Sequence, residues 1–322
     1  MAEPWHSCID RELLEVDDLM MKDLEYRDNP ELTEMCQYVV SSGGKRLRPA
    51  LCILSYYVNG GTDANVPIRI GAAFEIIHSA SLVHDDINDQ GEIRRGRKTL
   101  HKEYTTSKAI IAGDYMFAMG FRLLSVNAPE IVDYIVDASA HMGAGEFVQK
   151  DYEHASTVTQ DDYIEIISGK TAKLFEASAK SGAAVAGADF DAIEAIGSYA
   201  FEIGLAFQIV DDTLDVVGDA YNTGKAVGTD LIEGKPTLPV IYAMEDPVYG
   251  PQVKALFEKV DVTTDDVHQA LELIKKTDAV DRCLDLAREY AVMARFKLDS
   301  FPESVYKDSL LTLADYIVSR DR

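Results

Sequence analysis

Apolar residues recur at three- and four-residue spacing along most of this chain, the period of an amphipathic helix rather than the alternation of a strand. The pattern predicts helices over 65–89, 105–125, 128–151, 160–181 and 188–217, with alanine filling many of the intervening positions. Thr159 followed by Asp162 marks a helix start, and Pro129 suits a first helical turn. Sustained period-two runs bounded by turn residues are missing, so strand signals are poor. The clearest breaks are Asn59-Gly60-Gly61 and 219–228, and no Pro/Ser-rich linker separates two halves. An all-α fold of roughly a dozen helices, forming a single domain over 1–322, is therefore expected.

Two apolar stretches end in the same way. His-Ser-Ala-Ser-Leu-Val-His runs into Asp85-Asp86-Ile87-Asn88-Asp89, and Gly-Leu-Ala-Phe-Gln-Ile-Val into Asp211-Asp212-Thr213-Leu214-Asp215. In a D-D-x-x-D helix the first and fifth carboxylates lie one turn apart on one face, with the second beside them. Such carboxylates repel one another unless a cation sits between them. Oxygen ligands of this kind suit Mg²⁺, which is commonly held by one or two carboxylates together with substrate phosphates. Two such clusters facing each other would cage a polyphosphate.

Composition narrows the partners. With 31 Lys+Arg against 55 Asp+Glu the net charge is −24, which argues against nucleic acid or an anionic membrane surface. The four cysteines, Cys8, Cys36, Cys52 and Cys283, show no C-x-x-C spacing; reduced thiols and a cytoplasmic location are expected. The first dozen residues carry neither a basic segment nor an apolar one, and no uninterrupted apolar run approaches 18 residues. A membrane span is not expected.

Against this acidic background the basic clusters stand out. Gly43-Gly44-Lys45-Arg46-Leu47-Arg48-Pro49 places flexible backbone and cations where an anion could approach, with Lys45 and Arg48 three apart. Arg94-Arg95-Gly96-Arg97-Lys98 begins five residues after Asp89, and arginine forks there would suit a diphosphate held on metal. A third group comprises Lys170-Thr171, Gln208, Lys225 and Lys235.

Together these residues resemble the trans-isoprenyl diphosphate synthases, the polyprenyl synthetase family. From Gly43 to Pro239 the motifs follow the family's order: G-G-K-R-x-R-P, L-V-H-D-D-x-x-D, R-R-G, G-D-Y, G-E-x-x-Q, G-K-T, F-Q-x-x-D-D-x-x-D, G-K and G-K-x-T-L-P. The chain beyond about 245 carries no assignable motif. The resemblance implies helices around a central apolar cavity and Mg²⁺-dependent, head-to-tail condensation of isopentenyl diphosphate with an allylic diphosphate. It further implies three Mg²⁺ ions and a homodimer. Asp85, Asp86 and Asp89 would bind metal on the allylic diphosphate from one side, and Asp211, Asp212 and Asp215 from the other. Arg94, Lys170, Lys225 and Lys235 would hold that diphosphate, while Lys45, Arg48, His78 and Arg95 would hold isopentenyl diphosphate. Thr171 and Gln208 would line the reacting centre.

Product length is expected to depend on the helix before the first cluster. Ser81, Ala80, Ile77 and Phe74 lie four, five, eight and eleven residues before Asp85. The resemblance implies that an aromatic at the first two positions would floor the channel. Ser81 and Ala80 are small, so a product of C20 or longer is expected, with C25–C40 among the lengths this admits. Alternatives are a partner subunit of a heteromeric synthase and a terpene cyclase. The cyclases resemble N-D-x-x-S-x-x-x-E at the second cluster and lack the Lys45/Arg48 pocket.

Overall fold

The 3.6-residue period is realised as helix nearly throughout the described residues, 4–124, 129–218 and 227–320, of the computed structural model. One compact unit is formed within Met1–Asp137, Leu174–Ser198 and Leu298–Leu313. It opens with α1 (Asp10–Asp23), α2 (Pro30–Val40), α3 (Leu47–Val58) and α4 (Asn65–Asn88). A two-stranded hairpin follows, β1 (Ile93–Arg94) and β2 (Arg97–Lys98), then α5 (Leu100–Glu103) and α6 (Thr106–Leu124).

Helix α4 is buried on nearly every side from Pro67 to Val83, so its apolar residues surround the helix instead of forming one stripe. Its principal neighbours are α6 and α3. Glycine makes both approaches possible. A Cβ on Gly71 would lie 3.0 Å from the Pro49 Cα, and one on Gly120 would run into Ile77 and lie 3.2 Å from the Ala73 carbonyl. Phe74, Ile76 and Ile77 have no exposed surface, and each such side chain contributes about 1.5–3 kcal/mol by burial.

The other unit lies within Ala138–Lys173, Tyr199–Lys297 and Ala314–Arg322. After α6 the chain runs through α7 (Pro129–Asp151), α8 (Gln160–Ile167), a π-helical turn (Ser168–Ala172) and α9 (Lys173–Val185), which from Leu174 belongs to the first unit. Then come α10 (Phe190–Val217), α11 (Thr229–Ile232), α12 (Leu238–Met244), α13 (Gly250–Phe257), α14 (Thr264–Ile274), α15 (Ala279–Lys297) and α16 (Val305–Ser319). The divisions between units fall inside α7, α9, α10 and α16 and at the end of α15.

Local signals are met closely. Thr159 accepts from the Asp162 N–H while the Asp162 carboxylate accepts from the Thr159 N–H, a reciprocal cap. Helix α7 begins at Pro129. Two features depart from expectation, and one expected break falls largely where nothing tests it. The helix expected over 160–181 is interrupted by the π turn and runs on to Val185. The second break, 219–228, lies mostly outside the described residues. The hairpin is real but only two residues long per strand, too short for period-two alternation to register.

By length and composition α4 and α10 could each cross a membrane, but 78% and 56% of their apolar windows are buried in the fold. Each also ends in an acidic cluster. The four cysteines are free thiols, and burial pushes the Cys36 thiol up to about 12.

Candidate functional site

The first acidic cluster occupies the carboxyl end of α4, with Asp89 as its C-cap. The helix dipole is negative there, so three added carboxylates need cations nearby. Asp86 is buried and accepts from Arg94 Nε at 2.7 Å. Asp85 and Asp89 are partly exposed.

The hairpin explains how the arginines are aimed. Arg94 pairs with Arg97 across a two-residue turn made by Arg95 and Gly96, both with positive φ (50° and 73°), as tight hairpins require. Arg95 donates to the Gly43 carbonyl. A Cβ on Gly44 would lie 2.9 Å from its guanidinium, so a side chain at 44 would displace Arg95.

That contact joins the hairpin to the loop before α3. Gly43 (φ 86°), Gly44 (φ 147°) and Arg46 (φ 51°) all have positive φ, and the helix starts only at Leu47. The helical three-residue spacing assumed for Lys45 and Arg48 is therefore corrected: Lys45 precedes the helix and is exposed, whereas Arg48 is inside it and 8% exposed. Arg48 stacks over Phe175 at 4.8 Å, and its carbonyl accepts from Ser178 Oγ at 2.6 Å. His78 is held well below its ordinary pKa, first by desolvation and then by Arg48, Arg95, Arg94 and Arg46. It is a neutral imidazole among arginines, able to give one hydrogen bond to an anion.

Of the four channel positions, Ser81 retains 9% exposure, while Ala80, Ile77 and Phe74 retain none.

In the second unit the π turn carries Lys170 and Thr171. It packs backbone to backbone on α7: a Cβ on Gly145 would lie 2.9 Å from Lys170 N, and one on Gly169 2.8 Å from the His141 carbonyl. π turns of this kind recur at functional sites. Lys170 Nζ lies 2.5 Å from Glu146 Oε2 and donates to Gln149 Oε1 at 3.2 Å.

From Thr171 a hydrogen-bond chain leads to the second cluster. Thr171 Oγ1 donates to Gln208 Oε1 (2.7 Å), and Gln208 Nε2 donates to Asp212 Oδ1 (2.8 Å). Tyr163 closes the chain by donating to Asp212 Oδ2 at 2.6 Å. Asp212 is buried, and its pKa is raised to about 7, first by desolvation and then by the Asp230 carboxylate, with Asp211 adding to it. Excess negative charge is what a cation would relieve, so the donor set fits a hard divalent ion.

Asp211 lies 2.8 Å from Arg320 Nη1. Asp215 Oδ2 accepts from the Asp230 N–H at 3.1 Å. Lys235 Nζ is 2.7 Å from Glu233 Oε2. Lys225 lies outside the described residues. Among the described residues no three carboxylate, imidazole or thiol groups converge on one point. Asp86 is paired with Arg94, Asp211 with Arg320, and Asp212 with Tyr163 and Gln208.

Sequence reasoning missed Tyr163 and Arg320, which stand outside every motif, and gave Glu146 no role although G-E-x-x-Q contains it.

Residues 29–274 match the family described as polyprenyl synthetase. The chain belongs to that family. It is 35% identical to the all-trans-nonaprenyl-diphosphate synthase (geranyl-diphosphate specific) of Rhodobacter capsulatus, over 88% of this chain and 87% of that one. It is 34% identical to the geranylgeranyl diphosphate synthase of Methanosarcina mazei, over 90% of each. A crystal structure of polyprenyl synthase from Caulobacter crescentus, complexed with calcium and isoprenyl diphosphate, superposes with a TM-score of 0.94 at 33% identity. It covers 99% of this chain and 97% of that one. As a polyprenyl synthetase the protein is an all-α prenyltransferase, and the expected fold class and reaction class are borne out.

Proposed function

We propose that this polyprenyl synthetase is a single-domain enzyme that condenses isopentenyl diphosphate head-to-tail with an allylic diphosphate to give an all-trans product of C20 or longer. The observation that carries this reading is that Arg95 is bonded to the Gly43 carbonyl, two residues before Lys45, while His78 lies near Arg48, Arg95, Arg94 and Arg46; Lys45, Arg48, His78 and Arg95 are assigned from their motifs to a basic pocket for a second diphosphate. A terpene cyclase binds one diphosphate and has no use for such a pocket. Both acidic clusters and the basic groups beside them are intact, which favours a catalytic chain over a partner subunit.

Asp85, Asp86, Asp89, Asp211, Asp212 and Asp215 are assigned to Mg²⁺, three ions in all. The calcium in the Caulobacter enzyme supports a divalent ion of this hardness. When bound, Mg²⁺ neutralises charge that develops on the departing pyrophosphate. The chain's own groups do the rest. Arg94, Lys170 and Lys235 hold the allylic diphosphate, and Lys225 is assigned with them from its motif. Thr171 and Gln208 border the reacting carbon. Lys45, Arg48, His78 and Arg95 are assigned to isopentenyl diphosphate, whose double bond would attack that carbon once held, and exclusion of water would protect the cation.

Ile110 and Ile111 on α6 are 43% and 58% exposed, and Val136 on α7 is 49% exposed. The homodimer itself is assigned from the family resemblance. The free thiols support a cytoplasmic setting.

The test is incubation with labelled isopentenyl diphosphate alone, allylic primer alone, and both, for wild type and Asp85→Ala. Polyprenyl product only from both substrates, with turnover reduced at least about 100-fold in the variant, is the expected result. Cyclised product from primer alone, or near-normal turnover in Asp85→Ala, overturns it.

A further inference from the structure

Arg46 interrupts the basic loop in an unexpected way. Its neighbour Lys45 is exposed, yet the Arg46 side chain is only 10% exposed and its backbone is left-handed (φ 51°, ψ 35°). For a residue with a Cβ that conformation costs about 1–2 kcal/mol. The side chain offsets the cost with a full set of acceptors. Arg46 Nε donates to Asp17 at 2.7 Å, Nη1 to Glu75 Oε1 at 2.9 Å and Nη2 to the Val40 carbonyl at 2.9 Å.

Glu75 is the more unusual partner. Its side chain is 3% exposed in the middle of α4, where a lone carboxylate would be strongly unfavourable. Its second oxygen is buried and makes no hydrogen bond among the described residues. His78 lies three residues further along the same helix face. Desolvation lowers the pKa of Arg95, and Glu75 is the carboxylate that opposes that shift most. Glu75 therefore ties the helix bearing His78 to the loop bearing Lys45, at the point where that loop enters α3 and Arg48, and it acts on Arg95 as well.

We infer that Glu75 is a positioning residue for the isopentenyl diphosphate pocket, acting through Arg46. The ion pair locks Arg46 in its left-handed conformation, and that lock sets the direction in which Lys45 leaves the loop and α3 begins. The inference rests on the pocket assignment made above.

Two effects of removing the Glu75 charge have opposite signs, which makes the test decisive. Loss of a carboxylate beside four cations would tighten anion binding electrostatically. Loss of the lock would misplace Lys45 and Arg48 and weaken it. Steady-state kinetics of Glu75→Gln should show the KM for isopentenyl diphosphate raised about tenfold, with the KM for the allylic primer and kcat each within about threefold of wild type. Arg46→Lys, which keeps the charge but loses the fork, should fall between wild type and Glu75→Gln.

The double variant Arg46→Met/Glu75→Gln removes both charges. A buried pair lost together leaves no uncompensated ion, so this variant should melt near wild type and still show the raised KM. It also carries the test if Glu75→Gln fails to fold. An unchanged or lowered KM in Glu75→Gln, or a wild-type KM in the double variant, overturns the inference. Arg48→Ala separates the two levels: if it leaves the KM for isopentenyl diphosphate unchanged, the pocket assignment itself falls.

Discussion

Arg320 Nη1 lies 2.8 Å from the Asp211 carboxylate, with 1% of the arginine side chain exposed. The guanidinium is stacked over Phe207 at 4.3 Å, and its Nη2 donates to the Phe207 carbonyl at 3.1 Å. One turn of α10 thus supplies both the aromatic floor for the arginine and the carboxylate it restrains. On the proposed assignment of Asp211 to Mg²⁺, Arg320 would restrain that ligand without itself touching the ion. Outer groups of this kind typically alter metal affinity or activity by about 10–100-fold when removed. Arg320→Gln should therefore raise the Mg²⁺ concentration for half-maximal rate about tenfold, with helix content by circular dichroism unchanged. An unaltered Mg²⁺ dependence would show that the pair is structural only.

Asp212 makes the metal-free protein sensitive to pH in a direction opposite to most carboxylates. Burial and the neighbouring carboxylates raise its folded pKa from the ordinary aspartate value to about 7. The folded state then binds a proton that the unfolded chain has already lost. Stability from this group is fully present below the unfolded value and is lost as pH rises through about 7. Without metal, Asp212→Asn should gain on wild type by on the order of 2 kcal/mol between pH 5 and pH 8, measured by urea unfolding. Mg²⁺ at pH 8 should stabilise wild type more than the variant, which keeps the other five carboxylates. A pH-independent difference between the two proteins would refute the raised pKa.

Local signals made the helices and both acidic clusters legible, because they depend on near neighbours in sequence. The cap at Thr159 and Asp162, the start at Pro129 and the D-D-x-x-D spacing all lie within five residues. What remained hidden depends on residues distant in sequence. Arg320 meets Asp211 across more than a hundred positions, and Tyr163 reaches Asp212 across forty-nine. The π turn at Lys170 follows from the glycine-to-backbone contact with α7, which no local pattern announces. The basic loop was half legible: its motif named Lys45 and Arg48, but the left-handed Arg46 moved the helix start and broke the assumed spacing.

Product length is the property on which the structure refines the sequence most usefully. Small residues at 80 and 81 led to the expectation of an open channel at that level, but the two are not equivalent. Ala80 has no exposed surface and Ser81 keeps 9%, so phenylalanine at 80 would overpack the core at a cost of about 1–3 kcal/mol. Ser81 is the position from which a larger ring can enter free space. One turn deeper, Ile77 is fully buried and rests against Gly120 of α6, where it can serve as a floor. Ser81→Phe should shorten the dominant product by at least one C5 unit. Ile77→Ala should lengthen it, while costing about 2–4 kcal/mol through the cavity it creates. Chromatography of products from labelled isopentenyl diphosphate and a fixed primer reads both shifts. If neither substitution moves the distribution, the tail does not grow along this face of α4. If only Ser81→Phe acts, the floor belongs to another helix, and Ile77 is core packing.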